Sequence, residues 1–170
     1  MNAQFWIEKL NLQKHPEGGY YKETYRSLDR INQDKLLTRY DGDRNVSTAI
    51  YYLLLDEEFS AFHKLKSDEI FHFYSGTTLT VHIIDNQGEY HRFKLGQNPE
   101  ENEVLQLVIP HGCWFASHVS QPNSYSLIGC TVSPGFDFAD FTLGDRTELI
   151  KLYPHLTDII TKFTYNNAMA

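Results

Sequence analysis

The stretch FSAFHKLKSDEIFHFYSG, residues 59–76, decides the fold of this 170-residue chain. Two apolar and aromatic runs, SAFHKL and EIFHFY, flank the polar segment KSD, which is typical of two strands joined by a turn. His63 and Glu69 stand on the two runs, and Gly76 closes the second one. This spacing is that of a metal site built on two strands, except that Leu65 stands where a second histidine ligand is expected.

Short strand-like runs continue along most of the chain. A hairpin is indicated by TLTVHIID and YHRFKL, which are separated by the turn residues Asn86, Gln87 and Gly88. Many short antiparallel strands at regular spacing predict an all-β sandwich or barrel, and the polar residues 27–45 are expected to form a long surface loop. The other strand-like runs are VSTAIYYLLL, EVLQLVIP, CWFASHV and YSLIGCTV.

Helical patterns occur only near the two ends. Apolar positions at three- and four-residue spacing predict a short helix over residues 3–12. Near residue 145, Asp145 and Glu148 fit a capping box, and Pro154 separates this helix from a second one that extends to about residue 164. We find no repeat or linker, so we predict a single domain over residues 1–170, with strands over about 15–143 and helices over about 145–164.

The composition narrows the class of partner. The formal net charge is −7 without a compensating basic run, which argues against nucleic acid and anionic membranes as partners. The first ten residues lack the pattern of a secretory signal, and no apolar run approaches a membrane span. Cys113 and Cys130 fit no metal-site spacing and are interpreted as buried thiols, so we expect a reducing, cytoplasmic location.

Four blocks of the sequence resemble the cupin superfamily. HKLKSDEIFHFYSG, residues 63–76, has the spacing of the first cupin motif, His-x-His-x3-Glu-x6-Gly, and PHGCWF, residues 110–115, matches the start of the second, Pro-x-Gly-x2-His. HPEGGYYKETYRS and GCTVSPGFDFADF are similar to blocks of an uncharacterised single-domain cupin subgroup. The resemblance covers about residues 5–152. It implies an all-β double-stranded β-helix, or cupin jelly roll, with a pocket inside.

The resemblance also bears on metal binding. In typical metal cupins, the two histidines and the glutamate of the first motif and a histidine of the second hold Fe, Mn, Ni or Zn. Only His63 and Glu69 match these ligands here, and Leu65 and Phe115 take the other two places. Because a divalent transition metal needs three or four donor atoms, we expect no metal cofactor. The remaining alternative is an atypical site formed by His63, Glu69 and His111.

A catalytic pair is the favoured hypothesis for the pocket. If both His63 and Glu69 face the cavity, they are able to exchange a proton near neutral pH, with Glu69 orienting His63 and a pocket tyrosine as the acid. One of Tyr51 and Tyr52 must face inward, and we take Tyr52 as the candidate. Trp114 and Phe115 are candidates for the pocket wall, although core packing is the ordinary role of such residues.

The block HPEGGYYKETYRS is also similar to dTDP-keto-sugar epimerases, which are metal-free cupin-like jelly rolls with a histidine base and a tyrosine acid. Glu23 falls at that family's glutamate, which helps to hold the nucleotide part of the substrate, and Arg26 is a candidate for an anionic group. Gly18 stands where those enzymes usually have arginine. An alternative of equal weight is that the glycines only form a turn and the tyrosines only pack.

Three functional hypotheses follow. The first is a metal-independent isomerase or epimerase that acts on a sugar-like or carbonyl compound. The second is a non-catalytic module that binds a small ligand, and the third is a metal-dependent oxygenase or isomerase with atypical ligands. We also expect a homodimer formed through an outer sheet face that carries Ile70, His72 and Tyr74. PGFDFADF, residues 134–141, is expected to pack on a sheet with its acidic side chains in solvent.

Overall fold

Two six-stranded sheets form the body of the computed structural model, which describes residues 2–166. The sheets have the orders β1-β2-β5-β13-β7-β11 and β10-β9-β8-β12-β6-β14, and β3 pairs with β4 alone. This architecture confirms the predicted jelly roll. The strands are β1 Gln13–Lys14, β2 Tyr20–Arg26, β3 Arg30–Ile31, β4 Arg44–Asn45, β5 Thr48–Leu55, β6 Phe59–Leu65, β7 Asp68–Gly76, β8 Leu79–Ile84, β9 Tyr90–Leu95, β10 Glu103–Val104, β11 Gln106–Ile109, β12 Trp114–Val119, β13 Tyr125–Ser133 and β14 Phe141–Leu143.

The turn between β6 and β7 transfers the chain from one sheet to the other. β6 lies between β12 and β14 in the second sheet, whereas β7 lies between β13 and β11 in the first. His63 on β6 and Glu69 on β7 therefore belong to different sheets, although they are close in sequence. The predicted hairpin of β8 and β9 is present and runs antiparallel.

The main core lies between the two sheets, because alternate residues of each strand point toward the facing sheet. β13 occupies a central position in the first sheet and contributes Ile128, Cys130 and Val132 to this core. β8 contributes Leu79, Val81 and Ile83 from the second sheet. Since both faces of β8 are buried, its six residues form a continuous apolar or weakly polar run.

Helices cover parts of the outer sheet faces. α1, Ala3–Leu10, ends two residues before its predicted end because Asn11 adopts a left-handed conformation with φ of 54°. α2, Arg146–Leu152, begins as predicted, with the Asp145 carboxylate accepting a hydrogen bond from the amide of Glu148 at 2.9 Å. α2 and α3, Thr157–Lys162, pack on the outer face of the second sheet. None of the helices in residues 2–166 has the length and apolarity that crossing a membrane requires.

A buried ion pair connects the loop before β5 to the segment before β14. The guanidinium of Arg44 donates two hydrogen bonds to the carboxylate of Asp140, at 2.6 and 2.7 Å, and both side chains are at most 5% exposed. The expectation that the acidic side chains of PGFDFADF lie in solvent is thus wrong for Asp140. The guanidinium supplies the hydrogen bonds that water otherwise provides, which allows the carboxylate to be buried.

Candidate functional site

A cavity of about 470 Å³ lies between the two sheets, within the size range of small-molecule sites. Its interior is formed by β5, β6, β7 and β13, while β2 and the segment before β14 form its rim. The lining residues are Gln13, His15, Glu17, Tyr21, Glu23, Arg26, Thr48, Ile50, Tyr52, His63, Leu65, Glu69, Phe71, Cys130, Val132, Phe136, Asp137, Phe138 and Phe141.

Most candidate residues from the sequence line this cavity. Of the seven candidates, Glu23, Arg26, Tyr52, His63 and Glu69 belong to its wall. Trp114 and Phe115 are not among the lining residues. Successive residues of a strand point to opposite faces of the sheet, so Trp114 faces outward where Phe115 faces inward. Trp114 packs beneath the C-terminal helices. Phe115 faces inward but lies in the core behind His63, with ring centroids 4.0 Å apart.

His63 is hydrogen bonded through both ring nitrogens. Nδ1 lies 2.7 Å from the backbone oxygen of Ala61, so Nδ1 carries the proton in the neutral ring. Nε2 lies 3.1 Å from Oε2 of Glu17. The carboxyl group that contacts His63 is therefore that of Glu17, and the expected orienting role of Glu69 is not supported.

The same oxygen of Glu17 also faces His15. Nδ1 of His15 lies 3.4 Å from Oε2 of Glu17, and it accepts a hydrogen bond from the Glu17 amide at 3.3 Å. Nδ1 of His15 uses its lone pair for the Glu17 amide, whereas Nε2 of His63 directs its lone pair toward the Glu17 carboxyl group. The contact between Nε2 and Oε2 therefore requires a proton between these two atoms, because two lone pairs would otherwise repel one another.

Burial determines where this proton resides. Desolvation raises the pKa of Glu17 and lowers the pKa of His63 to about 4, since both groups lie in the protein interior. Desolvation also lowers the pKa of His15. Both shifts favour the neutral pair, in which the Glu17 carboxyl group donates toward Nε2 of His63, and Ser60 donates a hydrogen bond to the other carboxyl oxygen at 3.0 Å.

Glu17 and His15 were not recognised in the sequence as site residues. A signal for them exists, because two titratable residues flank Pro16 directly before the glycine pair Gly18-Gly19. Gly18 has φ of 112°, and a Cβ atom at this position would lie 2.1 Å from the backbone oxygen of Phe59. Only glycine permits this close approach, which brings the turn against β6 and carries Glu17 to the cavity.

Glu69 lies on the opposite sheet and is 7% exposed. Desolvation, together with the nearby Glu17, raises its pKa to about 8, although a hydrogen bond from the Cys130 thiol opposes this shift. Burial also keeps Cys130 protonated by raising its pKa well above the usual value. Glu69 is accordingly a neutral carboxylic acid at pH 7, able to donate a proton to a ligand.

Tyr52 is the inward-facing member of the Tyr51–Tyr52 pair. Its hydroxyl group donates a hydrogen bond to the backbone oxygen of Gly18 at 2.8 Å, and its side chain lines the cavity. Burial raises the pKa of Tyr52 well above its usual value, so the phenol stays protonated. Tyr52 therefore supports the turn that carries Glu17, in addition to forming part of the wall.

The segment Phe136–Phe141 forms an aromatic part of the wall, which corrects the expectation that this segment only packs on a sheet. The rings of Phe136 and Phe138 meet edge to face at 5.0 Å, and the ring of Phe138 stacks near His15 at 6.4 Å. Phe141 lies 5.4 Å from the ring of His63. The exposed acidic side chain of Asp137 also lines the cavity.

The donor atoms of this site do not fit the metal centre of a typical cupin. Leu65 offers a hydrocarbon side chain to the cavity, and Phe115 packs against His63. His111 does not join His63 and Glu69, because its Nδ1 is bonded to Asp68 at 2.8 Å and its side chain is 44% exposed. Within residues 2–166, no three His, Cys, Asp or Glu side chains are grouped so that they would hold a metal ion.

The raised pKa of Glu69 predicts a measurable dependence of stability on pH. Between about pH 4.5 and 8, the unfolded chain ionises Glu69 while the folded protein retains the proton, so this group lowers the free energy of unfolding as pH rises. From pH 5 to pH 8, the free energy of unfolding of the variant Glu69→Gln should therefore fall by about 2 to 4 kcal/mol less than that of the natural sequence. Urea denaturation at both pH values measures this difference.

Glu57 is exposed, and the variant Glu57→Gln provides the matched control, which should retain the decline of the natural sequence. His15, His63, His82 and His118 have lowered pKa values and act in the opposite direction below pH 6.5. These histidines contribute equally to the natural sequence and to Glu69→Gln, so their contribution cancels when the two pH dependences are compared. An unchanged pH dependence in Glu69→Gln would contradict the assignment of a protonated carboxyl group.

Comparison with known proteins identifies a matching family model and two similar proteins. The family model described as Cupin superfamily (DUF985) matches residues 4–144. A Saccharomyces cerevisiae protein, "Uncharacterized protein YML079W", is 36% identical over 150 residues, which cover 83% of this chain and 74% of that protein. A "Hypothetical protein from Leishmania major" has a TM-score of 0.88 at 36% identity and covers 98% of this chain and 100% of its own.

A more distant structure shares the fold alone. Oxalate decarboxylase from Bacillus subtilis matches with a TM-score of 0.53 at 13% identity. The match covers 88% of this chain and 36% of that chain, which corresponds to part of a larger protein. Similarity of sequence is therefore strong toward the two uncharacterised relatives, whereas the decarboxylase shares the arrangement of strands.

Proposed function

The chain belongs to the Cupin superfamily (DUF985) and is a small-molecule-binding cupin, and on this premise we propose that it is a metal-independent isomerase or epimerase. The substrate is a sugar-like or carbonyl compound bound in the cavity between the sheets. One observation carries the proposal: Oε2 of Glu17 lies 3.1 Å from Nε2 of His63 and 3.4 Å from Nδ1 of His15 at the cavity wall. A proton shared in this way is available for transfer to and from a ligand.

The proposed reaction uses two groups. The carbonyl oxygen of the substrate receives the proton of Glu17, and Nε2 of His63, released from that hydrogen bond, removes the proton from the neighbouring carbon. The carbon–hydrogen bond breaks, a nitrogen–hydrogen bond forms, and an enediol or enol results. In the isomerisation of an α-hydroxy carbonyl compound, His63 then delivers the proton to the former carbonyl carbon, and the hydroxyl group on the neighbouring carbon gives its proton to Glu17 as the new carbonyl group forms. Glu17 thus takes the acid role that was expected of a pocket tyrosine.

Deuterium exchange tests this proposal without knowledge of the natural substrate. The protein is incubated at pH 7 in D₂O with a panel of aldoses, ketoses, amino sugars and cyclic ketones, and NMR detects deuterium on the carbon beside the carbonyl group. We expect enzyme-dependent exchange for at least one compound, unchanged after dialysis against a chelator. Binding without exchange for every compound that binds would refute catalysis.

Binding without exchange would indicate a non-catalytic binding module, and the aromatic wall of the cavity supports this alternative. Six lining residues are phenylalanine or tyrosine, so the cavity offers stacking surfaces for a ring-shaped ligand in the absence of any reaction. A loss of exchange after chelation would instead support metal-dependent chemistry with atypical ligands. The same experiment therefore separates all three hypotheses.

The proposal includes a homodimer formed through the outer face of the first sheet. Tyr74 is 52% exposed and Val108 is 53% exposed on the neighbouring strands β7 and β11, and Val108 lies opposite Ile70 in register. We expect sedimentation velocity at micromolar concentration to detect a dimer, and Val108→Lys to shift it toward monomer because a charge would enter an apolar contact. A natural sequence that sediments only as a monomer would exclude this interface.

A cytoplasmic location is also part of the proposal. Cys113 and Cys130 are both buried free thiols, as is usual in a reducing compartment. Cys130 lines the cavity beside Glu69, where an apolar thiol completes the wall. Cell fractionation with an antibody against the chain tests the location.

A further inference from the structure

Apart from its histidines, the ionisable groups of the cavity are mostly acidic. Its lining contains the four carboxyl side chains of Glu17, Glu23, Glu69 and Asp137, and one guanidinium, that of Arg26. Glu17 and Glu69 are buried in the interior, whereas Glu23 and Asp137 are exposed at the rim. An anionic ligand would therefore need Arg26 as its partner, and at the rim it would meet the carboxylates of Glu23 and Asp137.

Arg26 is already engaged by the protein. Its Nε and Nη2 donate to the two carboxylate oxygens of Glu23, at 2.9 and 2.7 Å. Nη1 donates to Oδ1 of Asn45 at 3.0 Å and to the backbone oxygen of Phe136 at 3.1 Å. Since this bidentate pair neutralises Arg26 and fixes its orientation, a phosphate or carboxylate of a ligand finds no unpaired guanidinium or ammonium group among the cavity-lining residues of the segment 2–166.

Glu69 has an unused capacity for hydrogen bonding. The Cys130 thiol, a weak donor, is hydrogen bonded to its carboxyl group. The group is 7% exposed and lines the cavity. A carboxyl group that lines the cavity and is paired with a weak donor is able to accept a stronger hydrogen bond from a ligand.

The aromatic wall complements a positive charge. The rings of Phe136, Phe138 and Phe141 meet at centroid distances of 5.0 to 6.4 Å with steep interplanar angles, so they present faces in different directions. Aromatic faces carry a partial negative charge and attract ammonium groups. The cavity thus offers carboxyl groups and π faces while it lacks a free cation.

We propose that the ligand of this cavity is a small cyclic amine or a ring compound with one ammonium group, whose nitrogen donates to the carboxyl group of Glu69. This inference deepens the proposed function by naming the charge class of its substrate, and it rests on that function only for the location of the site. Amino sugars satisfy the description and also supply the carbonyl group of the proposed reaction, whereas aralkylamines satisfy only the charge class and serve as probes of binding. Sugar nucleotides do not, because their diphosphate would meet only carboxyl groups and an engaged arginine.

Ligand binding should be coupled to proton release. In the empty site burial raises the pKa of Glu69 to about 8, so the group is largely protonated at pH 7. A neighbouring ammonium group favours the carboxylate and lowers this pKa, so that binding expels up to about one proton. A neutral ligand of the same shape would leave the proton in place.

A matched series of probes tests the charge class directly. Isothermal titration calorimetry at pH 7 compares 2-phenylethylamine, 2-phenylethanol and phenylacetate, which share a ring and chain length but differ in charge. We expect the amine to bind about tenfold or more tightly than the alcohol, and phenylacetate to bind most weakly. Titration of the amine in two buffers of different ionisation enthalpy should detect the released proton.

Two variants test whether the amine binds at Glu69. Glu69→Gln should weaken binding of the amine about tenfold and abolish proton release, while affinity for the alcohol stays nearly constant. Glu57→Gln, the same change at an exposed position, should affect neither ligand. Circular dichroism confirms that both variants are folded.

Each other outcome decides against the inference. Equal or tighter binding of the alcohol or of phenylacetate would overturn the charge class and leave the proposed ligand-binding function intact. Tight amine binding that Glu69→Gln does not weaken would overturn the role of Glu69. Failure of all three probes to bind would overturn the inference as well, and deuterium exchange on neutral carbonyl compounds would then still support the proposed function.

Discussion

Replacing His63 with asparagine is expected to lower the rate of deuterium exchange into a responsive carbonyl compound by about 10²- to 10⁴-fold, the range contributed by one acid–base group. Asparagine retains a polar side chain but lacks the basic Nε2 that faces Glu17 at 3.1 Å. Most of the cavity wall is unaffected, so the affinity of the ligand should change little. Exchange rates by NMR and dissociation constants by calorimetry, measured on the same compound, separate the two effects.

Further variants distinguish the roles of the carboxyl groups. Glu17→Gln should approach the loss of His63→Asn, because an amide cannot supply the shared proton. His111→Asn, the same substitution at an exposed histidine outside the cavity, should retain full exchange. Exchange that survives in His63→Asn at the natural rate, or that is lost equally in His111→Asn, would exclude His63 as the base.

Removing the carboxylate of Asp140 is expected to lower the free energy of unfolding by about 3 to 5 kcal/mol, since Asp140→Ala leaves the buried charge of Arg44 without its partner. The two hydrogen bonds of 2.6 and 2.7 Å join groups that are at most 5% exposed. Urea denaturation measures this loss. Ligand affinity should also fall, because Asp140 anchors the segment that carries Phe136 and Phe138 into the cavity wall.

A double variant separates an unpaired charge from general damage to the core. Arg44→Met combined with Asp140→Leu removes both charges and should recover most of the stability that Asp140→Ala loses, because no charge then remains buried. Asp34→Ala removes an exposed carboxylate whose side chain is 66% exposed, and it should change stability little. If the double variant were as unstable as the single one, the loss would not be electrostatic.

Local patterns in the sequence determined the architecture. The alternation of apolar residues and the positions of glycine and proline define strands such as β8 and β9, because a strand buries one face and a turn needs particular backbone conformations. Spacing likewise identified the helix that begins after Asp145, since a capping side chain acts within one turn. The cupin resemblance then identified the jelly roll, and strand parity indicated that His63 and Glu69 face inward.

Only the tertiary structure decided the composition of the site. The partner of His63 is Glu17, which comes from a turn before β2 and reaches β6 because Gly18 permits close packing against Phe59. No local pattern encodes this contact. The segment PGFDFADF lines the cavity because the distant Arg44 buries Asp140. Periodicity reports which face of an element is buried, whereas the pairing of side chains depends on how loops and sheets close against each other in space.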